Sequence, residues 1–262
     1  MMGFTSPKIS ERELLGYYPS SYEAYNKRKG IMSFLQKMKY KRDLKIISRS
    51  ITKNKPSMFE IGAGRGEFLQ EARKAGFNVS GVEPGEEGVI FAKKEYNLKI
   101  ICGFAKDMPL KSRYDVIVLR HVLEHINNPK DILLYIKDKL KDKGVLFIKI
   151  PNYGSAESAL FKRYWGSIDA PRHRVHFTKN GIKKLLKDIG YKDILIRKEI
   201  VPNDIIRSIE FWGRYSNSRI RTLGALFSKL PEILKIIIGQ IIGAVLSIRS
   251  SGRMIITARL RD

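Results

Sequence analysis

The 262-residue sequence predicts an α/β fold, a doubly wound sheet of seven strands that is mostly parallel with an antiparallel last strand. Three observations carry that prediction. From Pro56 onward, short apolar runs alternate with amphipathic segments of helical period, the pattern of βαβ units. A glycine-rich turn, "EIGAGRG" (60–66), joins the first such strand to the first such helix. Two further apolar strands close the chain, and a long helical insertion separates them.

The strands are "SMFEIG" (57–62), "NVSGVEP" (78–84), "LKIICG" (98–103), "DVIVLR" (115–120), "GVLFIKI" (144–150), "YKDILIRKEI" (191–200) and "GRMIITARLR" (252–261). Helices fill the gaps as "GEFLQEARKAG", "GEEGVIFAKKEY", "PKDILLYIKDKLK" and "KNGIKKLLKDIG", with a long loop over 151–178. The last two strands suit an antiparallel hairpin. The arrangement is Rossmann-like, so a ligand crevice belongs at the carboxyl ends of the strands. Four parts follow: an N-terminal helical cap (1–55), the core (56–202), a hydrophobic helical insertion (203–250) and the final core strand (251–262). The cap is aromatic, then basic, with four tyrosines in "GYYPSSYEAYNKRKG" and helical spacing in "IMSFLQKMKYKRDLKIISRSI".

Composition bounds the function. An apolar share of 43% supports a packed core. The lone Cys102 excludes an internal disulfide and cysteine-built zinc sites, and suits a reducing cytoplasm. "MMGFTSPKISERELL" has no apolar h-region. Fifty basic against 26 acidic residues give a formal charge of +24, which attracts nucleic acid or an anionic membrane surface unless the scattered lysines are merely solvated.

The glycine turn places Gly62, Gly64 and Gly66 where backbone N–H groups and a helix N-terminus meet a ligand. Glu83, one βα unit later at the next strand end, is positioned to accept both hydroxyls of a ribose. The turn is one residue short of the dinucleotide pattern G-x-G-x-x-G. Glu60, two positions before the first glycine, would repel a pyrophosphate and suit a cationic amine.

"EIGAGRG", "GVEP", "DMPL…YDVIVLRHVLEHI" and "KGVLFIKIPN" together resemble the class I S-adenosylmethionine-dependent methyltransferases, and within them the UbiG/UbiE-like small-molecule branch, methyltransferase type 11 or 23. The likeness covers about residues 57–200. It implies S-adenosylmethionine as cofactor, with Glu60, Gly62, Ala63, Gly64 and Gly66 at its methionine part and Glu83 with Pro84 at the ribose. Phe104 and Ala105 would flank the adenine, and Arg120 and His121 would leave the fourth strand directly beside the cofactor. Phe104 stands where many relatives carry aspartate, with Asp107 nearby. The segment W-x-x-x-D-x-P-R-H-x-x-H-F (Trp165, Asp169, Pro171, Arg172, His173, His176, Phe177) shapes the acceptor side in the resembling family. There Trp165, Arg172 and His176 would bind substrate, Arg172 through an acidic or phosphorylated group.

"RHVLEH" (120–125) also fits H-x-x-E-H, the signature of an inverted zinc protease. That chemistry needs both histidines on one helical face, whereas this segment follows a strand, so no metal centre is expected from it. The four histidines nevertheless fall in two pairs, His121 with His125 and His173 with His176, and both pairs are expected near the cleft mouth. Methyl transfer to oxygen calls for a base, with His173 the first choice and His125 or His121 the second. The acceptor is then small, or lipid- or sugar-linked, and methylated on oxygen before nitrogen. Two other readings stay open: RNA methylation by way of the basic surface, and a non-catalytic binding protein that keeps the cofactor fold. Against RNA, "LRHV" replaces the [DN]-P-P-[FYW] motif that stacks a flipped base.

In the insertion, "LGALFSKLPEILKIIIGQIIGAVLSIRS" is apolar all round. Its charge-free stretch, 236–248, makes a helix of roughly 20 Å, too short for a hydrocarbon layer of about 30 Å. It therefore reads as a helix peripheral to an anionic membrane, rimmed by Lys229, Lys235, Arg249 and Arg253, or as a helix buried in a homodimer, under a lid or against the core.

Overall fold

The computed structural model describes residues 2–7, 13, 16, 17, 30–216 and 218–260. Tyr18, Tyr22 and Tyr25 of the aromatic N-terminal stretch lie outside the described residues.

Seven strands form one sheet: β2 (Ser57–Ile61), β3 (Asn78–Glu83), β4 (Ile100–Cys102), β5 (Tyr114–Arg120), β6 (Leu140–Pro151), β8 (Tyr191–Glu199) and β9 (Arg253–Leu260), in the order β4-β3-β2-β5-β6-β9-β8. The first five pair in parallel. β9 runs antiparallel to both β6 and β8, so the closing pair is no isolated hairpin: the last strand enters the sheet between two earlier ones. Strand order reverses between β2 and β5, which opens a crevice at their carboxyl ends.

Period-two alternation sorts the core into two layers. Ile117 and Leu119 of β5 face one side, with Ile132, Leu133 and Ile136 of α4 (Pro129–Lys139) and Ile182, Leu186 and Ile189 of α6 (Lys179–Ile189). Val116 and Val118 face the other, with Tyr40, Leu44 and Ile47 of α1 (Gly30–Ser48) and Phe68, Leu69 and Ala72 of α2 (Glu67–Lys74). Helix α3 (Glu86–Tyr96) adds Ala92 to that second layer. Central strand β6 is nearly all apolar from Val145 to Ile150 because both its faces are covered. Its exception is Lys149.

Two elements depart from the expectations. The N-terminus, expected as helix throughout, begins as a strand, β1 (Met2–Phe4), paired antiparallel with β7 (Val175–Phe177) inside the stretch expected to be loop. A three-residue strand has no periodicity to detect; its partner, 173 positions away by the pair Gly3 and His176, supplies the ladder. The same stretch also holds the short helix α5 (Ala156–Phe161), capped by the Ser155 hydroxyl, which accepts from the Ser158 N–H at 3.0 Å.

The insertion is three helices, α7 (Pro202–Tyr215), α8 (Ser218–Ser228) and α9 (Glu232–Arg249). It is not uniformly apolar in its placement. α9 turns glycines inward: a Cβ on Gly239 would meet the Pro202 carbonyl oxygen at 2.9 Å, and one on Gly243 would meet Ile200 Cγ2 at 2.7 Å. Ile233, Ile237, Ile241, Val245 and Ile248, all exposed, point outward. Of the expected basic rim, Lys235 is engaged by Glu232 at 2.8 Å and Arg253 by Asp204, which leaves Lys229 and Arg249 exposed. No helix among the described residues is long and apolar enough to cross a membrane.

Candidate active site

A cleft of about 1550 Å³ opens at the crevice between β2 and β5. Its first wall is the glycine turn. Gly62 and Gly64 take φ of 71° and 52°, in the left-handed region open to glycine at little cost. A Cβ on Gly62 would come within 2.4 Å of Val122 Cγ2, whereas one on Gly64 would meet nothing within 4 Å. Ala63, Gly62 and Gly64 line the cleft. Gly66 does not: a Cβ there would strike Leu98 Cδ1 at 2.7 Å, so its lack of a side chain serves helix packing, and the expected cofactor contact is corrected.

Glu83 ends β3 with its carboxylate held by two backbone donors, the Gly64 N–H at 2.7 Å and the Gly85 N–H at 2.9 Å. Those two bonds orient the group at the end of the strand. Pro84, half-exposed Phe104 and Ala105 continue this wall. Asp107 stands beside them, with Oδ2 turned onto the Phe104 N–H at 2.7 Å.

The floor carries buried charge. Glu60 faces Arg120, with Oε1 and Nη1 3.5 Å apart, and its Oε2 has no hydrogen-bond partner. Burial pushes the Glu60 carboxyl up to about 8, against the lowering pull of Arg120. The Arg120 guanidinium lies 4.4 Å from the Phe68 ring centroid and 4.6 Å from that of Tyr40, so β5, α1 and α2 fix it together.

The far wall begins where β5 ends. His121 takes φ of 59° and donates its N–H to the Lys149 carbonyl at 2.9 Å. Arg253, clamped by two bonds to Asp204 at 2.5 and 2.7 Å, donates to His121 Nε2 at 2.8 Å. That lone pair is thereby used within the protein, and burial with Arg253 holds the ring well below the usual histidine range. His121 is therefore corrected as a base, although it lines the cleft. The next residues form a single 3-10 turn, Leu123–His125, so His121 and His125 share no helical face as H-x-x-E-H would require.

His125 and His173 pack edge to face with ring centroids 4.7 Å apart. Each Nδ1 lies on a carbonyl oxygen, His125 on that of Arg172 at 3.0 Å and His173 on that of Ser167 at 2.8 Å. Burial, then His125, pulls His173 down to about 3; burial also lowers His125. Asp169 comes within 3.7 Å of His173 Nε2 and accepts from Arg172 at 2.6 Å. All four line the cleft.

Trp165 and His176 do not. Trp165 is buried among Phe161, Ile205 and Trp212, where its size fills a second core under the insertion. His176 points the other way, with Nε2 3.0 Å from the Thr5 hydroxyl and its ring against Tyr153. The expected substrate contacts of both are corrected, since packing and β1 take up their side chains. Arg253 and Arg207 line the cleft without having been expected there, and Asp169, named with the acceptor-side segment, lines it too. Glu124, buried beside the two histidines, was legible only as the middle of H-x-x-E-H.

A family model described as "Methyltransferase domain" matches residues 32–196. An uncharacterized protein of Methanocaldococcus jannaschii is 27% identical over 180 residues, 66% of this chain and 84% of that protein. The mitochondrial ubiquinone biosynthesis O-methyltransferase of Schizosaccharomyces pombe is 27% identical over 99 residues, 35% of this chain and 36% of its own length. Among solved structures, phosphoethanolamine N-methyltransferase 2 of Haemonchus contortus, in complex with S-adenosyl-L-methionine, superposes with a TM-score of 0.60 at 17% identity, covering 99% of this chain and 62% of that one.

Proposed function

Because the chain belongs to the methyltransferase domain family and is an S-adenosylmethionine-dependent methyltransferase, we propose that it methylates a hydroxyl oxygen of a small, lipid-linked or sugar-linked acceptor. The observation that carries this reading is one cleft with two carboxylates at one end, Glu60 and Glu83, and a wall of neutral imidazoles at the other, His125 and His173. Family membership replaces the non-catalytic alternative.

The residues fit the cofactor. Glu83, oriented by the Gly64 and Gly85 N–H groups at the end of its strand, accepts the ribose hydroxyls. Glu60 Oε2, which lacks a partner, receives the methionine ammonium, and that positive charge favours the ionised carboxylate. Phe104 offers its exposed face to the adenine. Bound there, S-adenosylmethionine supplies an electrophilic methyl carbon on a sulfonium that leaves as a neutral thioether. Arg172 holds an acidic group of the acceptor. His173, fixed by the Ser167 carbonyl, presents Nε2 to the acceptor hydroxyl and hands the proton toward Asp169. Most of the acceleration comes from holding oxygen, carbon and sulfur in line.

Incubation with S-adenosylmethionine, a panel of hydroxylated small molecules and bulk RNA, read by mass spectrometry, tests the assignment. Methyl gain on a small-molecule oxygen is expected; gain on RNA alone would overturn it. Glu83→Ala should weaken S-adenosylhomocysteine binding roughly 10- to 100-fold, the worth of hydrogen bonds to a charged group. His173→Ala should keep that affinity and lose turnover.

A second reading concerns the surface. The outward isoleucines of α9, with exposed Lys229 and Arg249 at its ends, suit an anionic lipid surface, which would bring a lipid-linked acceptor to the cleft. Flotation with phosphatidylglycerol vesicles should carry the protein upward, and Ile241→Glu should leave it in the dense fraction. Equal behaviour of the two proteins would remove this reading.

A further inference from the structure

We propose that Glu124, His125 and His173 form a binding site for a divalent transition-metal ion at the acceptor end of the cleft. Its role in catalysis rests on the function proposed above; its existence does not.

The geometry of the three side chains comes first. Their donor atoms lie within 4.8 Å of one another. On a tetrahedral ion with bonds of 2.0–2.2 Å, donors stand about 3.3–3.6 Å apart, so closure takes a shift of little more than an ångström. Glu124 can make that shift by side-chain rotation, because no hydrogen bond restrains its carboxylate.

The imidazoles are prepared as ligands. With each Nδ1 on a backbone carbonyl, at 3.0 Å for His125 and 2.8 Å for His173, the ring proton sits on Nδ1 and the lone pair on Nε2. Metal-bound histidines carry this outer hydrogen bond, which sets both tautomer and ring direction.

The carboxylate is the independent observation. Glu124 is 1% exposed, and neither of its oxygens has a hydrogen-bond partner. Its nearest basic atom, His121 Nδ1, is 3.5 Å away. A buried carboxylate so placed is costly unless protonated or bound to a cation, and protonation would still leave a hydroxyl with no acceptor. Asp169, 3.7 Å from His173 Nε2, adds a second acid at the rim. His121 stays outside the set because Arg253 occupies its Nε2. Hence the ligands are not those of the H-x-x-E-H pattern, although two of its residues belong to them.

Two imidazoles with one carboxylate favour zinc, iron, cobalt or nickel over magnesium or calcium. An ion there keeps a coordination position toward the cleft, since His125 and His173 both line it. An acceptor hydroxyl on that position loses its proton to water at the mouth. The O–C bond then forms as the S–C bond breaks, with no change of oxidation state. In that role His173 is a ligand and not the base.

The test uses the full chain, made without a polyhistidine tag and stripped with a chelator. Titration with Co²⁺ should give one equivalent bound and visible d–d absorption that Zn²⁺ abolishes. Glu124→Gln and His173→Ala should each weaken Co²⁺ binding at least about tenfold, with circular dichroism confirming that they fold. No stoichiometric binding by the parent chain, which needs no variant, would overturn the site. Unchanged affinity in both folded variants would do the same. Full turnover after stripping would overturn the ion's catalytic role while leaving the methyltransferase reading intact. Stoichiometric Co²⁺ binding by a chain that methylates no acceptor would keep the site and remove the proposed function.

Discussion

Glu60 is the residue on which charge and burial disagree most openly. Its carboxyl is pushed up from 4.5 to about 8 by burial, so the folded chain holds that proton more tightly than the unfolded chain does. A group with a raised folded-state pKa contributes stability that is fully present below its unfolded value and is lost as pH rises through its folded value. Stability of the ligand-free protein should therefore fall between about pH 4.5 and 8 on account of this residue. Glu60→Gln, a mimic of the neutral acid, should melt with the parent near pH 5 and above it near pH 8. Parallel melting curves across that range would refute the assignment. Glu60 was legible from its place before the turn, as a carboxylate waiting for an amine. Its unpartnered Oε2 was not, because Arg120 reaches across the β2–β5 seam to the other oxygen, Oε1.

Among the elements, α9 departs from the usual amphipathic rule. Where α7 crosses closely its inward positions are glycines, beside half-buried Ile242 and Leu246, while Ile233, Ile237, Ile241, Val245 and Ile248 face outward. Gly239→Leu should therefore overpack the contact with Pro202 and Ile206 and cost about 1–3 kcal/mol or more, read as a lower urea midpoint. Ile241→Ser, on the outer face, should change stability by no more than about 0.5 kcal/mol. A reversed ranking of these two variants would show that the helix packs the other way round. The apolar composition of this segment was plain from the residues. Which side of it turned inward was not, since both sides are hydrophobic and only the approach of α7 separates them.

At the scale of the molecule, one buried ionic network ties the sheet to its N-terminal helix. Lys149 of β6, 3% exposed, lies 3.0 Å from Asp43 of α1 and 2.7 Å from Glu199 of β8. Arg42 pairs with the same Glu199, and Arg120 stands 3.6 Å from Asp43. The floor of the cleft thus rests on charges from α1, β5, β6 and β8. Lys149→Ala should cost about 3–5 kcal/mol, because it leaves two carboxylates buried and under-compensated, whereas a solvated lysine would cost little. Chemical denaturation separates the two outcomes.

By itself the sequence determined the order of the seven sheet strands and of the helices between them, apart from β7 and α5 in the stretch read as loop, together with the glycine turn, its two flanking carboxylates and the resemblance that named a cofactor. These are readable because periodicity, turn chemistry and strand-end position are local properties of the chain. Tertiary structure alone decided which histidines meet. His125 joins His173, while His176 is drawn off by a strand from the far N-terminus and His121 is taken by Arg253 from the far C-terminal strand. It also decided that Trp165 packs and that Glu124 is left without a donor. The physical reason is the same throughout: a side chain's partner comes from another segment, tens of residues away for His125 and Trp165 and more than a hundred for His121 and His176, and no local pattern records which segment will arrive at its atoms.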